Sequence, residues 1–196
     1  MTRPDRIIGL LLAGGKATRM GGADKGLAHW HGQPMAEQIL RALKTVVPRV
    51  YISANRSLAD YERLAPGQVV QDPEHLHDQG PLAGLLTGLK TAEQQGAEAV
   101  LMCPCDTPGI TPATLSALIT AWQTQPDRPV IAENNGRTHP LHGVYPVSLV
   151  VALDDWLKSD NRRVMGFAKS VGAIAVDCPE TAEVFRNRNR LEDLGS

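Results

Sequence analysis

Residues 12–27 combine two pairs of adjacent glycines with three basic side chains, Lys16, Arg19 and Lys25, against one acidic side chain, Asp24. Glycine allows the backbone to approach a ligand closely or to adopt a positive φ. Successive N–H groups in such a turn form an anion-binding concavity. A solvated, flexible loop is the alternative interpretation, but the pattern as a whole, directly after an apolar run, favours binding of a triphosphate.

This glycine-rich segment differs from two common nucleotide-binding motifs. A Walker loop has Gly-Lys-Ser/Thr at the start of a helix, whereas Ala17 follows Gly15-Lys16 here. A dinucleotide-binding motif is shorter, opens directly into a helix and does not require basic residues. The segment therefore indicates a third kind of nucleotide site.

A single carboxylate, Asp106, follows a second apolar run at residues 99–103. Mg²⁺ is commonly held by one or two carboxylates together with phosphate oxygens and water, so one Asp is sufficient. Helix capping is the alternative role. A zinc site needs about four N or S ligands, so we expect Cys103 and Cys105 to be packing residues.

Two further polar residues, Asn55 and Asp72, follow the second and third predicted strands. Ligands of parallel α/β sheets bind beyond the carboxyl ends of the strands, so both should reach the same edge as the glycine-rich segment. A carboxylate can accept both hydrogens that guanine presents on N1 and its exocyclic amine. The alternative is that both are ordinary turn residues.

The second half of the chain contains groups suited to a phosphorylated acceptor. Gly80 and Gly84 frame the start of a predicted helix, whose N-terminal amides favour phosphate. Arginine side chains offer planar donor pairs, and residues two apart project to one side of an extended chain. The arginines are Arg162 and Arg163, and the residues two apart are Asn187 and Asn189.

Taken together, these segments resemble the nucleotidyltransferases with a Rossmann-like fold, and most of all the molybdenum cofactor guanylyltransferase (MobA) family. The resemblance covers most of the chain and also includes residues 53–56, 71–72, 80–84, 104–108, 138–140, 162–165 and 187–189. It implies transfer of GMP from GTP to molybdopterin, release of pyrophosphate, and Mg²⁺ as the cofactor. It also implies transient contacts with other proteins of molybdenum cofactor biosynthesis.

The resemblance further implies a role for each matching residue. The nucleotide would be bound by Leu12, Ala13, Gly14, Gly15, Lys25, Asn55, Asp72 and Asp106, of which Asp106 would also hold the metal. The acceptor would be bound by Arg19, Gly22, Gly80, Gly84, one of the pair Arg162 and Arg163, Asn187 and Asn189. The catalytic set would be Lys25, Arg19 and Asp106, with no general base, because a phosphate monoester is largely a dianion at neutral pH.

Two departures from the family pattern concern the acceptor side. The family usually continues the last motif with Thr-Pro-Glu, where this chain has Arg190-Leu191-Glu192, and it tends to have Phe-Ala in place of His142-Gly143. Three alternative functions also stay open at this point. They are a cytidylyltransferase for the same pterin, a sugar-1-phosphate nucleotidyltransferase, and a nucleotide-binding regulator without activity.

The elements that must position these residues alternate along the chain. Apolar runs predict strands at 7–12, 50–54, 69–71, 99–103, 130–133 and 173–176, and amphipathic runs predict helices at 35–46, 82–95, 112–123 and 147–158. Strands joined by helices imply right-handed crossovers and a mostly parallel sheet. We therefore expect one α/β domain, residues 1–196, with a three-layer Rossmann-like fold similar to the nucleotide-diphospho-sugar transferases. The N-terminal part would bind the nucleotide and the C-terminal part the acceptor.

Composition sets limits on partners and location. The chain has 196 residues and a formal net charge of −1, so overall charge does not attract it to nucleic acid or to a membrane surface. The short apolar run near the N-terminus is typical of a buried strand. Three cysteines form no even disulfide framework, and we expect a cytoplasmic protein.

Overall fold

A seven-stranded sheet forms the centre of the computed structural model, which describes residues 6–13, 24–178 and 182–188. Its strands are β1 (Ile7–Leu12), β4 (Val50–Ser53), β5 (Val69–Val70), β6 (Ala99–Pro104), β7 (Val130–Asn134), β8 (Arg137–Pro146) and β9 (Ile174–Asp177). A separate hairpin consists of β2 (His29–Trp30) and β3 (Gln33–Pro34). The order in the sheet is β5-β4-β1-β6-β8-β7-β9, and β8 alone runs opposite to the other six strands described.

Helices cover both faces of this sheet. They are α1 (Met35–Val46), α2 (Leu58–Leu64), α3 (Pro81–Gln94), α4 (Pro112–Thr124), α5 (Val150–Lys158) and α6 (Val164–Ser170). Residues of α1, α2 and α4 pack in one apolar cluster, and those of α3, α5 and α6 pack in the other. The predicted three-layer α/β fold with a mostly parallel sheet is confirmed.

The central strands belong to both clusters because alternate side chains point to opposite faces. In β1, Ile7 and Leu11 enter the first cluster, whereas Ile8 and Leu10 enter the second. All six residues of β1 and all six of β6 are buried, which is why both segments are apolar throughout.

The main departure from the predicted elements is β8. The sequence predicts no strand at residues 137–146, where Thr138, His139, Pro140 and His142 interrupt the apolar pattern. The structure forms a hairpin there through Asn135 and Gly136, which both have positive φ. An Asn-Gly pair is a strong hairpin signal, and it is the clue that the sequence interpretation missed.

Smaller differences concern short elements and boundaries. Helix α2, helix α6 and the β2–β3 hairpin are too short to give a clear periodic signal, and none was predicted. The helix predicted at 147–158 begins as a 3-10 turn at Val147–Leu149 and becomes α5 from Val150. The predicted start of α4 is confirmed, since Thr111 accepts a hydrogen bond from the Thr114 N–H and Pro112 occupies the first turn.

Within the part of the chain that the structure describes, no helix combines the length and the apolar character needed to cross a membrane.

Candidate active site

A cleft opens at the carboxyl ends of the parallel strands. The ends of β1, β4 and β6, the start of α3 and the reversed strand β8 all contribute to it. The described residues that line it are Leu12, Lys25, Ser53, Asp72, Gly80, Pro81, Gly84, Pro104, Cys105, Asp106 and Leu141. This is the edge at which α/β sheets bind ligands, and two opposite charges, Lys25 and Asp106, face each other across it.

Lys25 and Asp106 form a loose ion pair in the cleft. The Lys25 Nζ lies 3.8 Å from the Asp106 Oδ2, and the two side chains are 23% and 17% exposed. Burial raises the pKa of the Asp106 carboxyl above its ordinary value, and the Lys25 cation partly offsets this by lowering that pKa. A second cation near the carboxylate would favour its ionised form in the same way.

Asp72 is held by a set of hydrogen bonds between neighbouring strand ends. The Asn55 Nδ2 donates to the Asp72 Oδ2 at 2.9 Å, and the Asp72 N–H donates to the Asn55 Oδ1 at 2.9 Å. The Thr87 hydroxyl of α3 donates to the Asp72 Oδ1 at 2.6 Å, and a ring nitrogen of His77 contacts the Asp72 carbonyl at 2.7 Å. Both carboxylate oxygens of this buried side chain therefore have fixed directions before any ligand binds.

The start of α3 forms the opposite wall of the cleft. Gly80 has a φ of +83°, which favours glycine, and Pro81 begins the helix. A Cβ at Gly84 would lie 2.8 Å from both the Leu12 Cδ2 and the Ser53 Oγ, so glycine lets α3 approach the ends of β1 and β4. The N-terminus of this helix is consequently close to the Lys25–Asp106 pair.

A C-terminal segment, residues 182–188, crosses the same edge beside Asp106. The Arg188 N–H donates to the Asp106 carbonyl at 2.8 Å. The ring of Phe185 stacks on His139 of β8 with a centroid distance of 4.3 Å. A second cavity lies between this segment and the β7–β8 hairpin, and Asn187, Arg137 and His139 are among its lining residues.

The loop after β6 is also supported by His142 of β8. The Nε2 of this buried ring lies 2.8 Å from the hydroxyl of Thr107, the residue that follows Asp106 in the chain. The Nδ1 has no hydrogen-bond partner among the described residues. Burial lowers the pKa of His142 to about 3, with a smaller contribution from His139, so the ring is neutral near neutral pH. In addition, a Cβ at Gly143 would collide with the Val130 carbonyl, which accounts for glycine at that position.

The structure brings together most of the predicted nucleotide residues that it describes. Of these, Leu12, Lys25, Asp72 and Asp106 line the cleft, and so do the predicted acceptor residues Gly80 and Gly84. Asn55 is hydrogen-bonded to Asp72. Ala13 lies next to this group, because its N–H donates to the Ser53 carbonyl at 2.8 Å. Outside the described residues lie Gly14, Gly15, Arg19, Gly22 and Asn189.

The predicted acceptor residues of the second half are more dispersed. Arg162 does not line the cleft, because its guanidinium donates to the Gln79 Oε1 at 2.5 Å and to the Leu157 carbonyl at 2.8 Å. Gln79 directly precedes Gly80, so Arg162 is hydrogen-bonded to a neighbour of the cleft wall. Arg163 is exposed at the start of α6. Asn187 lines the second cavity.

Several contributors were missed by sequence reasoning. Thr87 holds Asp72, and Tyr61 and Arg56 contact Asp24 beside Lys25. Arg56 belongs to a segment that carried the resemblance, but no role was given to it. Thr87 and Tyr61 lie inside helices, where nothing in the sequence marks a side chain as directed at a site.

The three cysteines are buried and free, as packing residues are expected to be. Burial raises the pKa of Cys103 above its usual range and that of Cys105 to about 12, so both thiols stay protonated. No cluster of three or more His, Cys, Asp or Glu side chains suited to a metal exists among residues 6–13, 24–178 and 182–188.

Comparison with known proteins identifies relatives of this chain. The model of the MobA-like NTP transferase domain matches residues 9–173. A molybdenum cofactor guanylyltransferase of Cereibacter sphaeroides is 38% identical over 189 residues, covering 96% of this chain and 94% of the relative. One from Mannheimia succiniciproducens is 36% identical over 190 residues, covering 97% of each chain.

A solved structure shares the fold at lower sequence identity. Molybdopterin-guanine dinucleotide biosynthesis protein A of Archaeoglobus fulgidus superimposes with a TM-score of 0.76, at 18% identity, over 95% of this chain and 94% of that one. The family model spans both the β1 end and the Asp106 loop, and the curated relatives span nearly the full chain. The chain therefore belongs to the family of MobA-like NTP transferases that includes the molybdenum cofactor guanylyltransferases.

Proposed function

We propose that this chain transfers GMP from GTP to molybdopterin, forming molybdopterin guanine dinucleotide and pyrophosphate. The observation that carries the proposal is the opposed pair Lys25 and Asp106 at the edge where three strand ends and the start of α3 converge. The curated relatives named molybdenum cofactor guanylyltransferase support the choice of substrates.

Mg²⁺ is the proposed cofactor, and the residues present fit it. Asp106 is a mostly buried carboxylate that lines the cleft, and its raised pKa reflects a negative charge that burial destabilises. Since Mg²⁺ commonly takes one or two protein carboxylates and otherwise phosphate oxygens and water, Asp106 with a bound triphosphate is an adequate ligand set. When bound, the ion would neutralise charge on the phosphates.

The protein's own contribution to the reaction is positioning and charge. The acceptor phosphate is largely a dianion at neutral pH, so it can attack the α-phosphorus without a general base. The bond from the α-phosphorus to the bridging oxygen breaks, and that oxygen leaves as part of pyrophosphate. Lys25 would stabilise negative charge that develops on the transferred and leaving phosphates. Arg19 is proposed for the same task, and it lies outside the described residues.

Selection of guanine is assigned to the Asn55–Asp72 pair. Each oxygen of Asp72 accepts one internal hydrogen bond, and a carboxylate oxygen has a second lone pair available. Because Thr87 and Asn55 fix the carboxylate plane, its remaining lone pairs point in set directions, as recognition of two adjacent donors on guanine requires.

We place the acceptor beside Asp106, between the start of α3 and the segment 182–188. The start of α3, Gly80 and Gly84 border the cleft, and the segment 182–188 is bonded to the Asp106 carbonyl through Arg188. A pterin phosphate that reaches the α-phosphorus from this side would lie between the two. Location in the cytoplasm and transient contacts with other proteins of molybdenum cofactor biosynthesis are further parts of the proposal.

Incubation with each NTP in turn, Mg²⁺ and molybdopterin tests the function, with pyrophosphate release as the readout. Release with GTP only, and only when molybdopterin is present, is the expected result. Preference for CTP would establish the cytidylyltransferase alternative. Release with a sugar 1-phosphate in place of molybdopterin would identify a different acceptor, and binding of GTP without release would favour a regulator.

A further inference from the structure

The segment that carries Lys25 is held by the side chain of Asp24. This carboxylate is only 5% exposed, and its Oδ1 accepts a hydrogen bond from the Gly26 N–H at 3.1 Å, which caps the 3-10 turn Lys25–Leu27. The backbone on both sides of Lys25 is thus tied to one side chain. Whatever orients Asp24 also orients the turn from which the Lys25 side chain extends.

Two side chains from the β4–α2 region contact Asp24. The Tyr61 hydroxyl donates to the Asp24 Oδ1 at 2.6 Å, and the Arg56 Nε lies 3.6 Å from the Asp24 Oδ2. Tyr61 itself is fully buried in α2. Burial, together with the nearby Cys105 and Asp24, raises the pKa of Tyr61 above its usual range, so its hydroxyl keeps the proton that it donates.

Packing around Gly26 leaves this arrangement little freedom. A Cβ at Gly26 would collide with the Tyr61 hydroxyl on one side and would lie 3.3 Å from the Cys105 Cβ on the other. The turn is therefore enclosed between Tyr61 and the loop that carries Asp106. A shift of the Tyr61 hydroxyl would displace the turn relative to Asp106.

The same connection between β4 and α2 also carries Asn55, which orients Asp72. One short stretch of chain, residues 55–61, thus contacts both the candidate base-reading carboxylate and the turn that bears the candidate phosphate-binding lysine. Neither Tyr61 nor Arg56 is among the described residues that line the cleft, and each of them contacts Asp24, directly before Lys25 in the chain.

We infer that Tyr61, with Arg56, is a positioning residue that acts through Asp24 to hold Lys25 toward the phosphates. The inference rests on the role of Lys25 in the proposed nucleotidyl transfer. Small displacements matter in such a site, because a misplacement of about 1 Å can cost roughly 100-fold in rate. A lysine that acts mainly in the transition state lowers kcat when displaced and changes the KM for GTP much less.

The test is a double-mutant cycle on the full chain, with Tyr61→Phe and Lys25→Ala measured singly and together by pyrophosphate release from GTP. Tyr61→Phe removes only the hydroxyl and keeps the buried ring. It should lower kcat by about 10-fold, with a smaller change in KM. In the Lys25→Ala background the same substitution should have no further effect, since residues that act through one group are not additive.

A matched control is Tyr145→Phe. It removes another tyrosine hydroxyl, which donates a hydrogen bond to the Pro140 carbonyl at 2.6 Å. Its effect on kcat, whatever its size, should be the same in both backgrounds. If Tyr61→Phe destabilises the fold, Asp24→Asn serves instead, because Asp24 is the group through which Tyr61 and Arg56 are inferred to act; its effect on kcat should likewise disappear in the Lys25→Ala background. Thermal unfolding of each variant identifies that case.

The outcomes separate this inference from the proposed function. Unchanged kinetics for Tyr61→Phe, or an equal reduction with and without Lys25, would overturn the positioning role while leaving the transferase activity intact. Wild-type turnover by Lys25→Ala would remove Lys25 from the reaction, and the positioning role would fall with it. Absence of pyrophosphate release from the wild type with any NTP would contradict the proposed function itself.

Discussion

The Lys25 ammonium and the Asp106 carboxylate lie 3.8 Å apart across the cleft, farther than the 2.7–2.9 Å or so of a charge-assisted hydrogen bond. The two charges therefore attract each other without a tight contact between them. Both remain partly exposed to the cleft, so an incoming phosphate or cation can interact with either one.

Lys25→Ala is expected to reduce kcat by about 100-fold, the usual size for loss of one group that stabilises developing charge. The thermal unfolding midpoint should change little, because Lys25 contributes no side chain to either apolar cluster. Lys90→Ala is the matched control, since the Lys90 Nζ lies 3.9 Å from the Asp154 Oδ1 on the surface between α3 and α5. Pyrophosphate release near the wild-type rate by Lys25→Ala would exclude this lysine from catalysis.

Asp106→Ala is expected to abolish Mg²⁺-dependent turnover and to leave a folded protein. Loss of the carboxylate removes the only acidic side chain among the described residues of the cleft other than Asp72, and Asp72 is engaged by Asn55 and Thr87. The measurement is pyrophosphate release against Mg²⁺ concentration, with Asp154→Ala as a surface control. A variant that keeps both the rate and the Mg²⁺ dependence of the wild type would place the metal on another group.

Asp72→Asn should lower kcat/KM for GTP about 5- to 150-fold, corresponding to roughly 1–3 kcal/mol for a mismatched buried polar group. The new amide can still accept from Asn55 through its oxygen and donate to the Thr87 hydroxyl through its nitrogen, so the local structure should persist. It would, however, present a donor where guanine also presents one. Turnover with CTP should change little, and Asp60→Asn on the surface of α2 is the control. Unaltered GTP efficiency would assign base selection to Asn55 or to backbone groups.

His142→Phe should make stability less sensitive to acid. The His142 pKa is about 3 in the folded protein and about 6.5 in an unfolded chain. Between these values the unfolded state binds a proton that the folded state does not, so the free energy of unfolding falls by about 1.4 kcal/mol per unit as pH decreases. Removing the imidazole removes this contribution. The Thr107 hydroxyl would keep its hydrogen bond to the Pro104 carbonyl at 3.4 Å.

Urea unfolding at pH 7 and pH 5 measures this difference. Between those values the loss of stability should be smaller in His142→Phe than in the wild type by roughly 2 kcal/mol. Equal losses in the two proteins would show that the His142 ring becomes protonated in the folded state as readily as in the unfolded chain.

The fold was predictable because its central strands are buried on both faces. Strand β1 was placed at 7–12 from its unbroken apolar run, and β6 was located one residue short of its observed end. Strand β8 was not predictable from the same signal, because its residues 137–141 are only partly buried or exposed and carry polar side chains. Its hairpin turn was marked by Asn135-Gly136, a local signal independent of apolar pattern.

The candidate site was predictable where a residue follows directly after a strand. Asp106, Asn55 and Asp72 were found in this way, since the carboxyl ends of parallel strands converge. Tyr61 and Thr87 were not found, because they reach the site from helices and their contacts depend on how those helices pack. Arg162 has chemistry suited to binding phosphate, but its guanidinium donates hydrogen bonds to the Gln79 side chain and to the Leu157 carbonyl. The sequence does not reveal these contacts.

The reversed direction of β8 limits how the length of its hairpin can change. The two-residue turn at Asn135 and Gly136 projects from the edge that carries the cleft, and the hairpin below it forms one wall of the second cavity. Inserting one residue into each strand of a hairpin extends it by about 3.3 Å, but moves the side chains between the insertion and the turn to the opposite face. Inserting two restores the original facing. The depth of that wall can therefore change in steps of about two residues per strand without changing which side chains face the cavity.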